Sequence, residues 1–309
     1  MVKYTKLTQI EHIIKRPGMY IGSIDKITDY MDIVDKSSNK IISKEIEYSP
    51  GLYKIFDEIA SNAYDEAVRD KNVKNIYVNI NDDMISIMND GSSIEIKLHK
   101  DSNIYIPELI FSHLLTSSTF TEDKRFTAGT HGLGAKLTNI FSKKFVIEIG
   151  DPSTKQKYIQ VFENNMQKIN KPKITSYNKK PYVKISFIPD YQKFNFTGLT
   201  SDLIQLFHKR TYDLAGILNN TSVYWNDSKL EVKSFVDYVK LYYSDDINYV
   251  YQKCGDSEIV ISNSLDDKFK QISFVNSVFT KDGGKHVDHL LKQIINNMHK
   301  AISKKYKSV

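Results

Sequence analysis

The chain has 309 residues, of which 40% are hydrophobic and 26% charged, a composition typical of globular proteins and sufficient for two domains. The single cysteine, Cys254, excludes an internal disulfide, no signal peptide opens the chain, and no apolar run is long enough to cross a bilayer. The net charge of +6 is compatible with nucleic acid binding but does not by itself indicate it.

The N-terminal part of the chain predicts a polar arm followed by a short helix. Residues 1–9 precede any regular pattern and are expected to form a strap. Thr8, with Glu11 three residues later, forms a capping-box pattern that predicts a helix over residues 8–16, and Pro17-Gly18 ends that helix. A strand is expected over residues 40–48, with a turn at Pro50-Gly51.

A longer helix is predicted from Leu52 to about Arg69, and two of its polar residues suggest chemistry. Glu58 and Asn62 are four residues apart, so they project from one face of the helix. A carboxylate can orient or deprotonate a water molecule, and an amide oxygen beside it can hold a hard cation such as Mg²⁺. Taken alone, the stretch is better explained as an ordinary amphipathic surface helix.

Two strands over residues 75–80 and 84–88 are predicted to form a hairpin that leads into Asn89-Asp90-Gly91. An amide at a strand end can bond the edge of a purine, although this tripeptide on its own usually marks only a turn. A helix is expected over 107–115. Four hydroxyl residues follow it at 116–119, and they either donate hydrogen bonds to phosphate or ribose or form a helix-terminal loop.

Residues 128–136, AGTHGLGAK, are the most specific stretch of the chain. Gly129, Gly132 and Gly134 precede an apolar helix over residues 136–141, so successive backbone N–H groups can point into one concavity. The helix N-terminus and Lys136 add positive charge there. The stretch therefore predicts a phosphate cradle, with a flexible glycine loop as the alternative. Its spacing matches neither the Walker A loop nor the Rossmann fingerprint.

The second half of the chain predicts regular elements with fewer signs of chemistry. Strands are expected over 183–188, 258–262 and 271–275, and helices over 202–218, 235–243 and 287–303. A further hairpin is expected over 222–225 and 229–232. Residues 244–256 are polar and are interpreted as a link into a second unit.

In order and spacing, these motifs resemble the GHKL ATPase family, which includes type II topoisomerases, Hsp90-type chaperones, MutL-type repair proteins and histidine kinases. The motifs are Glu58-x₃-Asn62-x₂-Asp65-Glu66, then Asn89-x-Gly91, then Gly129-x-His131-Gly132-x-Gly134-x-Lys136. Residues 16–22 (RPGMYIG), 273–277 (SFVNS) and 283–288 (GGKHVD) narrow the resemblance to type IIA topoisomerases. Residues 114–118 and 134–142 are similar to the eukaryotic and viral branch rather than to gyrase.

The resemblance implies an α+β fold in which a GHKL ATPase α/β sandwich is followed by an incomplete transducer domain of the ribosomal S5-like α/β type. Residues 1–243, including the strap, would form the first domain, and residues 244–309 would begin the second. The implied function is the ATP-binding and hydrolysing gate of a type II DNA topoisomerase. ATP and Mg²⁺ would be its cofactors, and double-stranded DNA and a second copy of the chain its partners, with no membrane involved.

The resemblance also assigns roles to individual residues. Glu58 would be the general base, Asn62 the Mg²⁺ ligand and Asn89 the reader of adenine. Further nucleotide contacts are expected from the strap residue Tyr4, which would reach the partner's site, and from Asp65, Ser117, Ser118, Thr119, Gly129, Thr130, His131, Gly132, Leu133, Gly134, Ala135 and Lys136. A lysine-rich segment facing DNA would comprise Lys304, Lys305 and Lys307.

The chain departs from the family pattern at three positions near the expected nucleotide. Ser93 stands where relatives usually carry a glycine, Thr119 where they carry Asn, and Val183 where they commonly place Thr. Two alternatives remain open: another GHKL ATPase of the chaperone or repair type, and a catalytically silent DNA-binding or dimerisation module. No strand-cleaving tyrosine domain is recognisable, so a larger enzyme is expected, located in the nucleus or in the host cytoplasm or virus factory of a large DNA virus.

Overall fold

The computed structural model describes residues 6–114, 132–244, 246–264 and 268–306. Within these ranges it has seven α-helices: α1 Gln9–Lys15, α2 Pro50–Arg69, α3 Ile106–Ser112, α4 Gly134–Ile140, α5 Ser201–Ile217, α6 Phe235–Lys240 and α7 Lys285–Lys305. The strands of the same ranges are β1 Ile27–Asp35, β2 Lys40–Tyr48, β3 Asn75–Asn81, β4 Met84–Asp90, β5 Ser142–Asp151, β6 Gln156–Glu163, β7 Lys168–Ile169, β8 Lys173–Ser176, β9 Tyr182–Pro189, β10 Ser222–Trp225, β11 Ser228–Lys229, β12 Tyr249–Cys254, β13 Ser257–Ser262, β14 Phe274–Val275 and β15 Val278–Phe279. The α+β class expected from the sequence is confirmed.

A nine-stranded sheet forms the centre of the first domain. Its strand order is β11-β10-β3-β4-β9-β5-β6-β7, and β8 also pairs with β6. Neighbouring strands are antiparallel except for β10 and β3, which are parallel. Side chains alternate along each strand, so Ile76 and Val78 on β3 and Ile85 and Ile87 on β4 are buried while their neighbours are partly exposed. One face of the sheet therefore carries the hydrophobic core.

Helix α2 lies in the middle of this core. Its apolar side buries Leu52, Ile55, Phe56 and Ile59, and Phe56 stacks on Phe207 of α5 with ring centroids 4.2 Å apart. The helix also contacts α4 and strand β4. Because it is held from three directions, its polar residues are fixed relative to the glycine segment that begins α4.

Several local predictions are confirmed. Thr8 caps α1, since its hydroxyl accepts a hydrogen bond from Glu11 N at 3.2 Å and the Glu11 carboxylate accepts one from Thr8 N at 2.8 Å. The strand over residues 40–48 and the β3–β4 hairpin are present. So are the helices expected near residues 52–69, 202–218 and 287–303, each within two residues of its predicted ends.

The prediction of a turn at Pro50-Gly51 is wrong. Both residues belong to the first turn of α2, where proline is tolerated because the first N–H groups of a helix have no partner within it. Ser49 caps this helix through a hydrogen bond from Leu52 N to its hydroxyl at 3.4 Å.

The polar link predicted over residues 244–256 is also wrong in part. Strand β12 lies within it and pairs antiparallel with β13, from Tyr249 opposite Ser262 to Cys254 opposite Ser257. All residues of β12 are exposed, so the strand lacks the alternation of buried and polar residues that would reveal it.

Other elements are shorter than predicted or were not predicted at all. The strand expected over 271–275 is limited to β14, that over 229–232 to β11, and the helix over 235–243 ends at Lys240. Strands β1, β5 and β6 have no counterpart among the sequence predictions. The domain boundary after residue 243 stays a prediction.

The C-terminal part of the described chain contacts the first domain at several points, which include strand β13 and the β14–β15 hairpin. Phe274 packs against Tyr238 of α6 with ring centroids 5.9 Å apart, and Lys281 pairs with Asp29 at 2.7 Å. Helix α7 follows, and none of its residues is buried. Within the described ranges, no helix has both the length and the apolarity needed to cross a membrane.

Candidate functional site

Glu58 and Asn62 lie one turn apart on α2, as the sequence predicts. The side chain of Glu58 is 21% exposed, and its Oε1 accepts an ion-pair hydrogen bond from Lys54 Nζ at 2.6 Å. Asn62 is exposed, whereas Asp65 in the next turn is buried. The helix thus offers one carboxylate and one amide to an accessible space and turns Asp65 into the interior.

The beginning of α4 lies directly against Glu58. A Cβ atom placed on Gly134 would be 1.8 Å from Glu58 Oε2, so only glycine leaves room for this carboxylate. The approach is held in place because Thr138 donates a hydrogen bond to Ile55 O of α2 at 2.8 Å. The structure therefore brings the predicted general base together with the described end of the glycine-rich stretch, residues 132–136.

The side chain of Lys136 is buried, unlike that of a typical surface lysine. It is 2% exposed, and its Nζ donates a hydrogen bond back to Gly132 O. Burial lowers the pKa of the Lys136 ammonium from its usual range to about 8. Its positive charge is therefore held inside the segment that begins α4, and within the described residues no side chain caps that helix start. Uncapped N–H groups at a helix start suit an anion.

Asn89 lies at the end of β4, beside a glycine that cannot be replaced without strain. It is buried, and its Nδ2 donates to Asp90 O at 3.0 Å. Gly91 has a φ of +102°, and a Cβ there would lie 2.5 Å from Val73 Cγ2. Val183 sits directly opposite Asn89 on β9. Val183, the cross-strand neighbour of Asn89, thus presents methyl groups where relatives commonly carry the hydroxyl of Thr.

Two further residues of this region have structural partners. The Asp90 carboxylate accepts hydrogen bonds from Lys74 N at 2.7 Å and from Asn75 N at 2.9 Å, and so ties the end of β4 to the start of β3. Ser93 bonds to the carboxylate of the buried Asp151. Burial would raise the pKa of Asp151, but hydrogen bonds from Ser153, Thr154 and Ser93 lower it overall. The departure at Ser93 therefore has a role in this loop.

Most of the remaining predicted residues belong to segments that the structure does not describe. Tyr4, Ser117, Ser118, Thr119, Gly129, Thr130, His131 and Lys307 lie outside the described residues. Lys304 and Lys305 are exposed in the last turn of α7. Leu133 and Ala135 are partly buried beside Gly134. The individual roles assigned to all these residues stay predictions.

The sequence reasoning missed three charged residues around α2. Lys54 precedes Glu58 by four residues, and this spacing could have revealed the ion pair. Asp57 on α2 and Arg210 on α5 form a second pair, with Arg210 Nε 2.6 Å from Asp57 Oδ1. In the sequence, each of these two residues stands out as a charged residue on the apolar side of its helix. Nothing in the sequence shows that Asp57 and Arg210 pair with each other.

The donor set fits a nucleotide with Mg²⁺. Magnesium prefers oxygen ligands and commonly takes one or two from protein while phosphates and water supply the rest. The Asn62 amide oxygen beside Glu58 meets that requirement. The buried Lys136 and the start of α4, which lie close to the Glu58 carboxylate, suit phosphate oxygens.

Comparison with known proteins gives a consistent set of similarities. Residues 222–309 match the family model described as DNA gyrase B. The chain is 43% identical to DNA topoisomerase 2 of Meyerozyma guilliermondii over 99% of its length, and 41% identical to that of Saccharomyces cerevisiae, also over 99%. In both cases it spans 23% of the relative, about a quarter of that protein's length.

Solved structures agree with these relatives. The chain is 42% identical to the ATPase region of Saccharomyces cerevisiae topoisomerase II, with a TM-score of 0.92, and covers 81% of that structure with 97% of its own length. The ATPase and transducer domains of DNA topoisomerase II from Balamuthia mandrillaris give 38% identity and a TM-score of 0.92, with 98% of this chain and 79% of that one covered.

Proposed function

The chain belongs to the type II DNA topoisomerase family, in its ATPase region, and we propose that it acts as the ATP-binding and hydrolysing gate of such an enzyme. The observation that carries the proposal is the approach of the Glu58 carboxylate to the start of α4 at Gly134. This approach supports the proposal, because hydrolysis of a terminal phosphate needs a general base close to the phosphate site.

Each residue of the cluster contributes a defined action. Glu58 orients the attacking water and accepts its proton, and Lys54, at 2.6 Å, holds that carboxylate in position. The N–H groups at the start of α4 and Lys136 hold phosphate oxygens, and Asn89 bonds the adenine edge. Asn62 would hold Mg²⁺, which supplies charge neutralisation for the phosphates.

The wider activity follows from the family and is proposed as a whole. ATP binding would join two copies of the chain, and the closed gate would capture a DNA duplex for strand passage. Lys304, Lys305 and Lys307 would face that duplex. Neither the relatives nor the solved structures reported above support the chaperone or repair alternative.

The test is titration calorimetry of the 309-residue chain with a non-hydrolysable ATP analogue, with and without Mg²⁺. We expect Mg²⁺-dependent binding that a GTP analogue does not reproduce, because Asn89 would read the adenine edge. The Asn89→Ala variant should lose this preference for adenine. Absence of binding by the unmodified chain would overturn the proposed function, and equal binding of both analogues would overturn the role of Asn89.

A further inference from the structure

The buried side of α2 carries a polar network that the proposed function does not use. Asp57 directly precedes Glu58, and Ser61 directly precedes Asn62, so each turns toward the interior while its neighbour faces the site. Ser61 is 8% exposed, and its hydroxyl donates to Asp57 Oδ1 at 3.4 Å. A movement of α2 that shifts the site therefore also shifts this network.

Arg210 of α5 holds the network from the other side. Its side chain is 1% exposed, and its Nε donates to Asp57 Oδ1 at 2.6 Å. Its Nη2 donates to Ser61 Oγ at 3.3 Å, while Nη1 has no hydrogen-bond partner in the described part of the chain. A buried ion pair of this kind tolerates little separation, because either charge left alone is costly. Arg210 therefore fixes α2 relative to α5.

Ser277 connects this network to the C-terminal part of the chain. It lies in the turn of the β14–β15 hairpin, where Asn276 and Ser277 have φ angles of +47° and +69°. Ser277 is 1% exposed, and its Oγ donates to Ser61 Oγ at 3.4 Å. The tip of this hairpin is thus buried against the back of the helix whose front carries Glu58 and Asn62.

We propose that the Ser277 turn is the contact through which nucleotide binding changes the docking of the β14–β15 hairpin, with Arg210 and Asp57 as positioning residues. The inference rests on the proposed function. At 3.4 Å the contact between Ser277 Oγ and Ser61 Oγ is longer than the usual hydroxyl hydrogen bond of about 2.5 to 3.0 Å, so a small shift of α2 strengthens or breaks it. The β14–β15 hairpin pairs through only two residues in each strand. Its backbone amides are therefore protected from hydrogen exchange mainly by docking against α2 and less by hydrogen bonds between its own strands.

Hydrogen–deuterium exchange of residues 274–279 tests this, using the 309-residue chain with and without Mg²⁺ and the non-hydrolysable ATP analogue. We expect the nucleotide to change exchange in the unmodified hairpin. Ser277→Gly should bind nucleotide normally but lose this change. Glycine suits the left-handed backbone of the turn, so this variant removes the hydroxyl without disturbing the fold. Ser61→Ala, which removes the partner hydroxyl, should give the same loss.

The matched control is Thr211→Ala. Thr211 is also fully buried and follows Arg210, but its hydroxyl donates within its own helix, to Phe207 O at 2.8 Å. This variant should keep the nucleotide-dependent change. Absence of binding by the unmodified chain would overturn the proposed function itself. Binding that leaves the hairpin's exchange unchanged, or a Ser277→Gly variant that responds like the unmodified chain, would overturn the coupling alone.

Discussion

Gly134 lies so close to Glu58 that a Cβ atom on residue 134 would overlap the Glu58 carboxylate. A Cβ on Gly134 would lie 1.8 Å from Glu58 Oε2 and 2.8 Å from its Cδ. The atoms in conflict are the end of a flexible side chain, so Gly134→Ala should displace the carboxylate rather than unfold the protein. We expect ATP turnover to fall sharply while nucleotide binding persists.

The control for this variant is Gly18→Ala, because a Cβ on Gly18 meets nothing within 4 Å. Steady-state ATPase and thermal unfolding of both variants would be measured together. Unchanged turnover in Gly134→Ala would show that the position of Glu58 seen here does not matter for hydrolysis.

A second prediction concerns the charge of Glu58. Glu58→Gln keeps the shape of the side chain but removes its ability to accept a proton, so turnover should fall about 100- to 10,000-fold. Nucleotide affinity, measured by calorimetry, should remain close to that of the unmodified chain. Glu45→Gln makes the same change on an exposed strand residue and should leave turnover intact. Near-normal hydrolysis by Glu58→Gln would exclude Glu58 as the base.

A third prediction follows from the lowered pKa of Lys136, about 8. Part of the Lys136 population is neutral above that pH. Phosphate oxygens favour the charged form and raise the pKa again. Nucleotide binding between about pH 8 and 9 should therefore take up protons, seen as calorimetric heats that differ between buffers of different ionisation enthalpy. Lys136→Arg, which stays charged, should abolish the uptake. Identical heats in all buffers for the unmodified chain would contradict a phosphate contact by Lys136.

A fourth prediction concerns stability. Asp57→Ala leaves the guanidinium of Arg210 buried without its carboxylate, and removing one member of a buried pair costs about 3 to 5 kcal/mol. Urea unfolding followed by circular dichroism would measure it. Glu95→Ala breaks the exposed pair between Glu95 and Lys97 and should cost less than about 1 kcal/mol. Equal effects of the two substitutions would mean that the Asp57–Arg210 pair is not buried as described.

The fifth prediction concerns DNA. Replacing Lys304, Lys305 and Lys307 together by alanine should weaken duplex binding and lower the slope of log affinity against log salt by up to about three, if each contacts one phosphate. Fluorescence anisotropy over a salt series measures both quantities. Lys179→Ala with Lys180→Ala removes exposed lysines elsewhere on the chain and serves as the control. A slope equal to that of the unmodified chain would remove the proposed role of these three lysines.

Local sequence determined those parts of this protein whose interactions are local. The capping box joins Thr8 and Glu11, which are three positions apart, and Glu58 and Asn62 share a face because four residues make about one helical turn. The order of the motifs also indicated the family and the general location of the site. Strand β12 escaped prediction because its residues are exposed along both faces, and with no buried face there is no alternation to detect.

Tertiary packing alone decided how the site is assembled. The Asp57–Arg210 pair joins residues 153 apart, and the Ser61–Ser277 contact joins residues 216 apart. The burial of Lys136 and the close approach of Gly134 to Glu58 likewise depend on how α4 packs against α2. These contacts form when elements that are distant in sequence pack together and exclude water between them. The burial and the pKa of a side chain in the site depend on residues from several elements that are distant in sequence, so no single stretch of sequence determines them.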